Sequence, residues 1–443
     1  MNSRVFGSGC AFIGAIVFML FPSTVHAADA GEINSGDTAW ILISTGLVLF
    51  MTIPALALFY GGLVRTKNVL SVLMQCLVLT ALMSVVWVVC GYSLAFDTTG
   101  MVKDTVNIHS FIGGFDKIMM SGVTANSVHN TIPEILFAVF QMTFAAITPA
   151  LIIGAFAERM KFSAVLLFST IWLLVVYCPI CHMTWAGDGG LYADWGVKDF
   201  AGGIVVHVTA GFAALVACIV IGPRKGHPKN LEPPHNLTMT LMGTAMLWVG
   251  WFGFNGGSQL AADGTAAMAV FVTHISACVA TLVWMTIDWV KDGKPSVLGA
   301  ATGAIAGLAA ITPASGSVGP LGALAIGAAS ASVCYFFSII LKQRLGYDDT
   351  LDVFGVHGVG GFLGTILCGV FAATQFGGSG VNNGIVSQVT VQLMAAGSCA
   401  VYSIIATLVI LKLIEYTIGL RVDNDQEIQG LDLSEHGERG YIL

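Results

Sequence analysis

The sequence predicts an all-α integral membrane protein of eleven transmembrane helices. Ten of them form a five-helix inverted repeat (spans 1–5 and 6–10), with the N-terminus outside and the C-terminus inside. Three observations carry that prediction. Of 443 residues, 56% are hydrophobic and only 10% charged, against roughly 25% charged in a typical soluble domain. Such a chain cannot cover a water-facing surface, so most of its length belongs in lipid. Apolar stretches long enough to cross a bilayer recur throughout, and Lys and Arg gather in alternate connections.

The first element reads as a removable signal peptide, residues 1–27. Arg4 supplies its positive end, residues 10–21 an apolar run, and Val25-His26-Ala27 a small-residue cleavage pattern, with a second cut offered after Ala30. That run is shorter than the roughly 20 residues a span needs. The spans follow at 39–60, 69–96, 130–157, 162–184, 200–222, 238–257, 265–290, 296–312, 318–341, 351–375 and 387–419. The transmembrane domain is set at 28–420 and a polar cytoplasmic tail at 421–443. Seven of the ten cysteines (Cys76, Cys90, Cys218, Cys278, Cys334, Cys368, Cys399) lie in apolar runs, where Cys behaves as a small hydrophobe.

Charge orients the array. Arg65, Lys67, Arg159, Lys161, Arg224, Lys225, Lys229, Lys291, Lys294, Lys342 and Arg344 fall in connections on one side, and Lys412, Arg421 and Arg439 at or beyond the last helix. Only Lys103, Lys117 and Lys198 fall on the other, so fourteen basic residues face three, with Arg4 in the leader completing the eighteen. The basic side is the cytoplasmic one.

An odd count leaves ten helices as two fives plus one, and a second five must be inverted relative to the first, a frequent transporter design. The stretch "DFAGGIVVHVTAGF" (199–212) aligns with "DTLDVFGVHGVGGF" (349–362): Asp199 and Asp349 each precede a histidine by eight, Val206-His207 matches Val356-His357, and Gly211-Phe212 matches Gly361-Phe362. Gly299, Gly303 and Gly307 give the eighth span a small-residue face for close packing. No Walker loop accompanies these features, which argues against an ATP-driven pump.

His207 and His357 carry the chemistry. An ionisable group inside a membrane is costly and faces a cavity or pathway, and an inverted repeat brings the two rings together near the midplane. Paired neutral imidazoles can pass a proton from ring to ring. A metal triad of the two histidines with a carboxylate competes, although Asp199 lies two turns from His207. Phe140 and Phe144, four apart, share a helix face. Trp251, Phe254 and Ser258 end the sixth span, and Trp185 ends the fourth on the same side. Aromatic faces attract cations, yet such stripes are also ordinary core. Asp199 can cap the fifth span or hold a cation at its mouth, and Asp348, Asp349 and Asp352 have the same two readings at the tenth. Finally, "CPICHMTW" places Cys178, Cys181 and His182 at the spacing of a c-type haem attachment.

These residues resemble the ammonium transporters of the Amt/Rh superfamily, on the bacterial and plant Amt branch. The likeness covers essentially the whole mature chain, through "FQMTFAAITPALIIGAFAERMKFSA", "DFAGGIVVH", "PHNLTMTLMGTAMLWVGWFGFNGGS", "GKPSVLGAATGAIAGLAAITPASG", "DDTLDVFGVHGVGG" and the tail "QEIQGLDLSEHGERGY". The resemblance implies an outer ammonium site at Phe144, Trp185 and Ser258, a phenylalanine gate at Phe140 and Phe254, a proton relay at His207 and His357, and Asp199 as site support. It implies a homotrimer with one pore per subunit, a multi-pass place in the bacterial inner membrane, and a tail that contacts neighbouring subunits and a PII-type signalling protein. Ammonium or ammonia, with methylammonium as a candidate analogue, is the expected substrate and membrane lipid the surroundings. No enzyme activity, cofactor, metal or nucleic-acid partner is expected. In similar proteins the two cysteines of "CPICHMTW" are missing, so the haem spacing reads as incidental. The alternatives are an electroneutral NH3 channel, an ammonium sensor and, remotely, a haem-bearing redox protein.

Overall fold

The computed structural model describes residues 32–229 and 233–441, so the leader read at 1–27 and its second cut lie outside the described residues. Among the described residues, eleven apolar helices of 15 residues or more follow in order: α1 (Ser35–Leu63), α2 (Thr66–Phe96), α3 (Glu134–Phe156), α4 (Phe162–Trp185), α5 (Gly203–Ile221), α6 (Leu237–Gly256), α7 (Gly264–Asp292), α8 (Val297–Ile311), α9 (Pro320–Leu345), α10 (Phe354–Phe371) and α11 (Gly384–Thr417). Ten are long and apolar enough to cross a membrane; α8 is a shorter apolar helix of 15 residues. Among the described residues the only sheet is a small antiparallel pair, Val128–His129 with Ile132–Pro133, before α3.

Helix starts follow local chemistry. Asn34 Oδ1 accepts from the amides of Gly36 and Asp37 at the head of α1. Asn236, Asp263 and Ser296 cap α6, α7 and α8 in the same way, each satisfying amides that lack an intrahelical partner.

Connections alternate between two faces. On one, Asn34 N donates to Thr131 O at 2.8 Å, Ala262 N to Asp37 at 2.7 Å, Phe200 N to Pro313 O at 3.1 Å and Ser379 N to Ser317 O at 2.9 Å. On the other, Arg65 pairs with Glu158 at 2.8 Å and Arg224 with Asp348 at 2.8 Å. Ser296, at the head of α8, lines a cavity on this second face together with Arg224 and Lys342, while Phe200 is bonded to Pro313 just past its end. Despite its length, α8 therefore runs from one face to the other.

Arg159 is the keystone of the second face. Fully buried, it donates to Gly222 O, Ala157 O, Ala155 O, Asp348 O and Thr350 Oγ1 at 2.6–3.2 Å, tying the α3–α4, α5–α6 and α9–α10 connections together. Burial lowers its pKa to about 10, so it stays charged at neutral pH.

The tail packs on its own chain. Short helices α12 (Asn424–Gln429) and α13 (Leu431–His436) lie across the second face. There Leu431 N donates to Asn68 Oδ1 and Ser71 N to Asp432 Oδ1, both at 2.8 Å, and Phe162 N to Glu435 at 2.9 Å. Glu427 accepts from Lys225 N and Arg421, each at 2.8 Å.

Candidate functional site

Two glycines set the approach of α5 to α10. A Cβ on Gly361 would sit 2.6 Å from the His207 Cβ, and one on Gly211 would collide with the Gly358 backbone. Only bare backbone lets the helices meet this closely. Both histidines lie on π-helical turns at the helix starts, His207 within Gly203–Val208 and His357 within Phe354–Gly358, a local widening that often marks functional positions.

The rings face each other with Nδ1 to Nδ1 at 3.2 Å, centroids 5.2 Å apart. One Nδ1 donates and the other accepts, so the pair holds a single shared hydrogen between the rings. His207 Nε2 is buried without a protein partner. Both rings line a narrow apolar lumen walled by Met51, Leu151, Leu247, Trp251, Phe254 and Ile305. His357 also borders a wider polar vestibule that opens past Lys342, Asp352 and Arg224.

On the opposite side of the lumen, toward the face that the charge pattern predicts to be the outer one, lies a second cavity, the outer cavity. Phe144, Trp185 and Ser258 all line it, with His129, Gln141 and Phe200. Two of its donors are already engaged: Ser258 Oγ gives its hydrogen to Phe254 O at 2.8 Å, and Trp185 Nε1 gives its own to Asp199 O at 2.8 Å. The two anchored groups thus present oxygen lone pairs and an indole face to the cavity.

Between cavity and lumen stands a layer of phenylalanines whose pairing differs from the expected one. The ring against Phe254 is Phe144, with centroids 4.4 Å apart, and Phe140 is reached through Phe144 at 5.0 Å. The reason is helical rise. Phe144 lies one turn deeper on α3 and meets Phe254, while the Phe140 ring packs beside Gly257, where an added Cβ would fall 3.0 Å from its Cε2. Phe254 in turn lies 6.2 Å from His207, giving the order Phe144, Phe254, His207, His357 along the path.

Asp199 takes the capping role. Its Oδ1 accepts from Gly202 N and Gly203 N at 3.0 and 2.6 Å, and its Oδ2 from Ile204 N and Val205 N at 2.9 and 3.1 Å. Burial pushes its carboxyl up, against the four amides that pull it down. With both oxygens engaged it is not available as the third ligand of a metal triad, and its carbonyl orients Trp185.

The residues of "CPICHMTW" form the last two turns of α4, all three candidate ligands fully buried. Cys178 and Cys181 are free thiols. His182 sets Nδ1 3.0 Å from Ala95 O and Nε2 2.8 Å from His109 O; carbonyl oxygens only accept, so the neutral ring donates to one of them and abuts the other. Neither nitrogen is left for an iron, and the histidine serves instead to pin the α2–α3 segment to the end of α4. Nothing in the residue spacing signals that role, nor the place of Gln141 in the outer cavity. Trp251, which stacks 5.7 Å from His207, was singled out only as part of an aromatic run.

Residues 39–441 match the Ammonium Transporter Family. The putative ammonium transporter of Methanothermobacter thermautotrophicus is 45% identical over 93% of this chain and 99% of its own length, and the ammonium transporter of Aquifex aeolicus 42% identical over 98% and 99%. Among solved structures, Mep2 of Candida albicans superposes with a TM-score of 0.80 at 36% identity, covering 89% of this chain and 88% of that one. A chain described as a sensor Amt protein gives 0.83 at 27% identity, covering 90% and 98%. The chain belongs to the ammonium transporter family, a multi-pass membrane protein whose work is ammonium transport.

Proposed function

We propose that this protein takes up ammonium by selecting NH4+ in the outer cavity, removing its proton at the phenylalanine layer, and passing NH3 through the lumen while His207 and His357 relay the proton. The observation that carries this reading is the Nδ1–Nδ1 contact of 3.2 Å between two buried histidines inside an apolar lumen.

The mechanism follows from a cost. A bare ion moved into a low-dielectric lumen loses roughly 20 kcal/mol of hydration by the Born estimate. Ammonium has an exit that potassium lacks, since it can surrender a proton and cross neutral. Phe144, Trp185 and Ser258 favour a cation by ring faces, worth about 0.5–2 kcal/mol each, and by the hydroxyl lone pairs. Phe144 and Phe254, with Phe140 above them, form the gate. A proton accepted at His207 Nε2 releases the Nδ1 hydrogen to His357, and His357 gives its own Nε2 hydrogen to the vestibule side. Both rings stay neutral before and after, with tautomers exchanged. Asp199 supports the site by fixing α5 and Trp185.

The face that carries Arg65, Arg159, Arg224 and the tail is the cytoplasmic one in this reading, in the inner membrane of a bacterium. Residues 1–27 are a cleaved signal, 28–420 the transport domain and 421–443 a regulatory tail. A homotrimer, a PII-type partner at the tail and surrounding lipid complete the proposal. Its support is the family membership, and pull-down with and without nucleotide and 2-oxoglutarate tests the partner.

Current and internal pH recorded together in proteoliposomes given an ammonium pulse, with potassium as control, test the transport step. A selective inward current that falls at least tenfold in His207→Ala and His357→Ala supports the relay. A pH change without current means neutral NH3 conduction. Binding without either signal moves the protein to a sensor, a role for which the similarity to the sensor Amt protein gives a precedent.

A further inference from the structure

The outer cavity holds a polar side chain that this mechanism leaves unused. Gln141 lies on α3 between Phe140 and Phe144, and lines the cavity with Phe144, Trp185 and Ser258. It is 8% exposed. Its amide bonds to no other described residue, and Oε1 is buried without a partner. Folded proteins seldom keep such a group unless something else satisfies it.

We infer that Gln141 supplies a second oxygen ligand to the cation in the outer cavity, opposite the requirement that Ser258 alone cannot meet. An ammonium ion carries four N–H donors. Ser258 Oγ, its own hydrogen held by Phe254 O, can accept one of them. Phe144 and Trp185 offer ring faces, which attract charge but take no strong directional hydrogen bond. A half-turn of the Gln141 amide about its last side-chain bond presents either its oxygen or its nitrogen to the cavity. A neutral amide oxygen adds a hydrogen bond to the charged form without adding a fixed negative charge that would hold any cation equally. The amide oxygen thus rewards a cation in proportion to the N–H donors it can point, which specifies how the site ranks ammonium against its alkylated analogues.

The inference rests on the outer cavity being the ammonium site, and the test separates the two. In proteoliposomes, Gln141→Leu is expected to raise the ammonium KM roughly tenfold with the maximal current within about twofold of wild type, the signature of a lost hydrogen bond to a charge. Methylammonium, with three N–H donors, is expected to suffer a smaller change, so the preference for ammonium over methylammonium narrows. Gln141→Glu keeps the shape and adds charge; it is expected to lower the KM and to let potassium compete. Unchanged KM values in both variants, or a loss of maximal current alone, overturn the inference while Ser258→Ala and Trp185→Leu still raise the KM. If those two also leave the KM unchanged, the site itself lies elsewhere. Should Gln141→Leu fail to fold, the Gln141→Glu competition with potassium decides: no competition overturns the assignment.

Discussion

At the start of α5, Asp199 stands eight residues before His207, and its two oxygens accept from four backbone amides. At the start of α10, Asp349 stands eight before His357. There Oδ2 accepts from Phe354 N at 2.8 Å, while Oδ1 is buried without a partner. The chain turns at the same place in both, three residues past the aspartate, through a left-handed residue: Gly202 with φ of 111° and Asp352 with φ of 60°. One backbone corner has been finished in two ways. The outer corner commits its carboxylate wholly to amides and turns on glycine, which fixes α5 and Trp185 in place. The inner corner turns on a second aspartate, whose side chain pairs with Lys342 and lines the vestibule. The lesson is that sequence symmetry reports the shared backbone corner, and the number of amides each carboxylate accepts reports the different work of the two.

The sharpest way to break this comparison is to neutralise both aspartates. Asp199→Asn turns an NH2 group toward amides that need an acceptor, leaving buried donors unsatisfied. The expected cost is on the order of 3 kcal/mol of stability, with loss of transport through a misplaced Trp185. Asp349→Asn keeps an oxygen for Phe354 N and is expected to fold and transport within about threefold of wild type. Thermal unfolding in detergent and ammonium current measure both. Equal losses in the two variants would mean that the corners do the same job.

A smaller effect sharpens it. Gly202→Ala must hold a Cβ at φ of 111°, 2.7 Å from Val206 Cγ2, which is expected to cost about 2 kcal/mol. Asp352→Gly relieves a left-handed non-glycine residue but removes the ion pair with Lys342. These effects oppose, so the expected change lies within about 1 kcal/mol. A large loss in Asp352→Gly would show that the charge, rather than the turn, holds the inner corner.

Much of this is legible in the sequence alone. The spans at 69–96 and 162–184 correspond to Thr66–Phe96 and Phe162–Trp185, because uninterrupted apolar runs ending in charged or glycine-rich connections leave little choice of boundary. The repeat around His207 and His357 was visible because polar residues in an apolar helix stand out. What was hidden depends on three-dimensional level rather than residue type. Phe140 and Phe144 share a face, and only the depth of Phe254 decides which of them meets it. The Cys178, Cys181 and His182 spacing matches a haem attachment, and spacing alone cannot reveal that carbonyl oxygens of Ala95, at the end of α2, and His109, in the connection after it, lie against both ring nitrogens. Gln141 reads as an unremarkable polar residue between two phenylalanines until its amide is found without partners in a cavity.

The subtlest difference between the corners concerns pH. Burial, reinforced by the charge of Asp352 and only partly offset by Lys342, raises the Asp349 carboxyl from 3.8 to about 6. A raised carboxyl favours the protonated folded form, so its contribution to stability is complete below about pH 4 and declines as pH rises toward 6. Its neighbour Asp348 behaves in the opposite sense. Burial would raise it too, but the Arg224 hydrogen bonds and charge, with Arg159, hold it far below its ordinary value of 3.8. That contribution is present at neutral pH and is lost only as pH falls below the ordinary carboxylate range. The two windows therefore do not overlap, and a titration of melting temperature can tell them apart. In Asp349→Asn the descending slope between about pH 4 and 6 is expected to flatten, leaving the variant at least as stable as wild type at pH 7, while the acid-side loss due to Asp348 persists. Coincident slopes in variant and wild type would mean that Asp349 stays ionised throughout, with its second oxygen satisfied in the folded membrane protein, and the contrast with Asp199 would shrink to a count of amides.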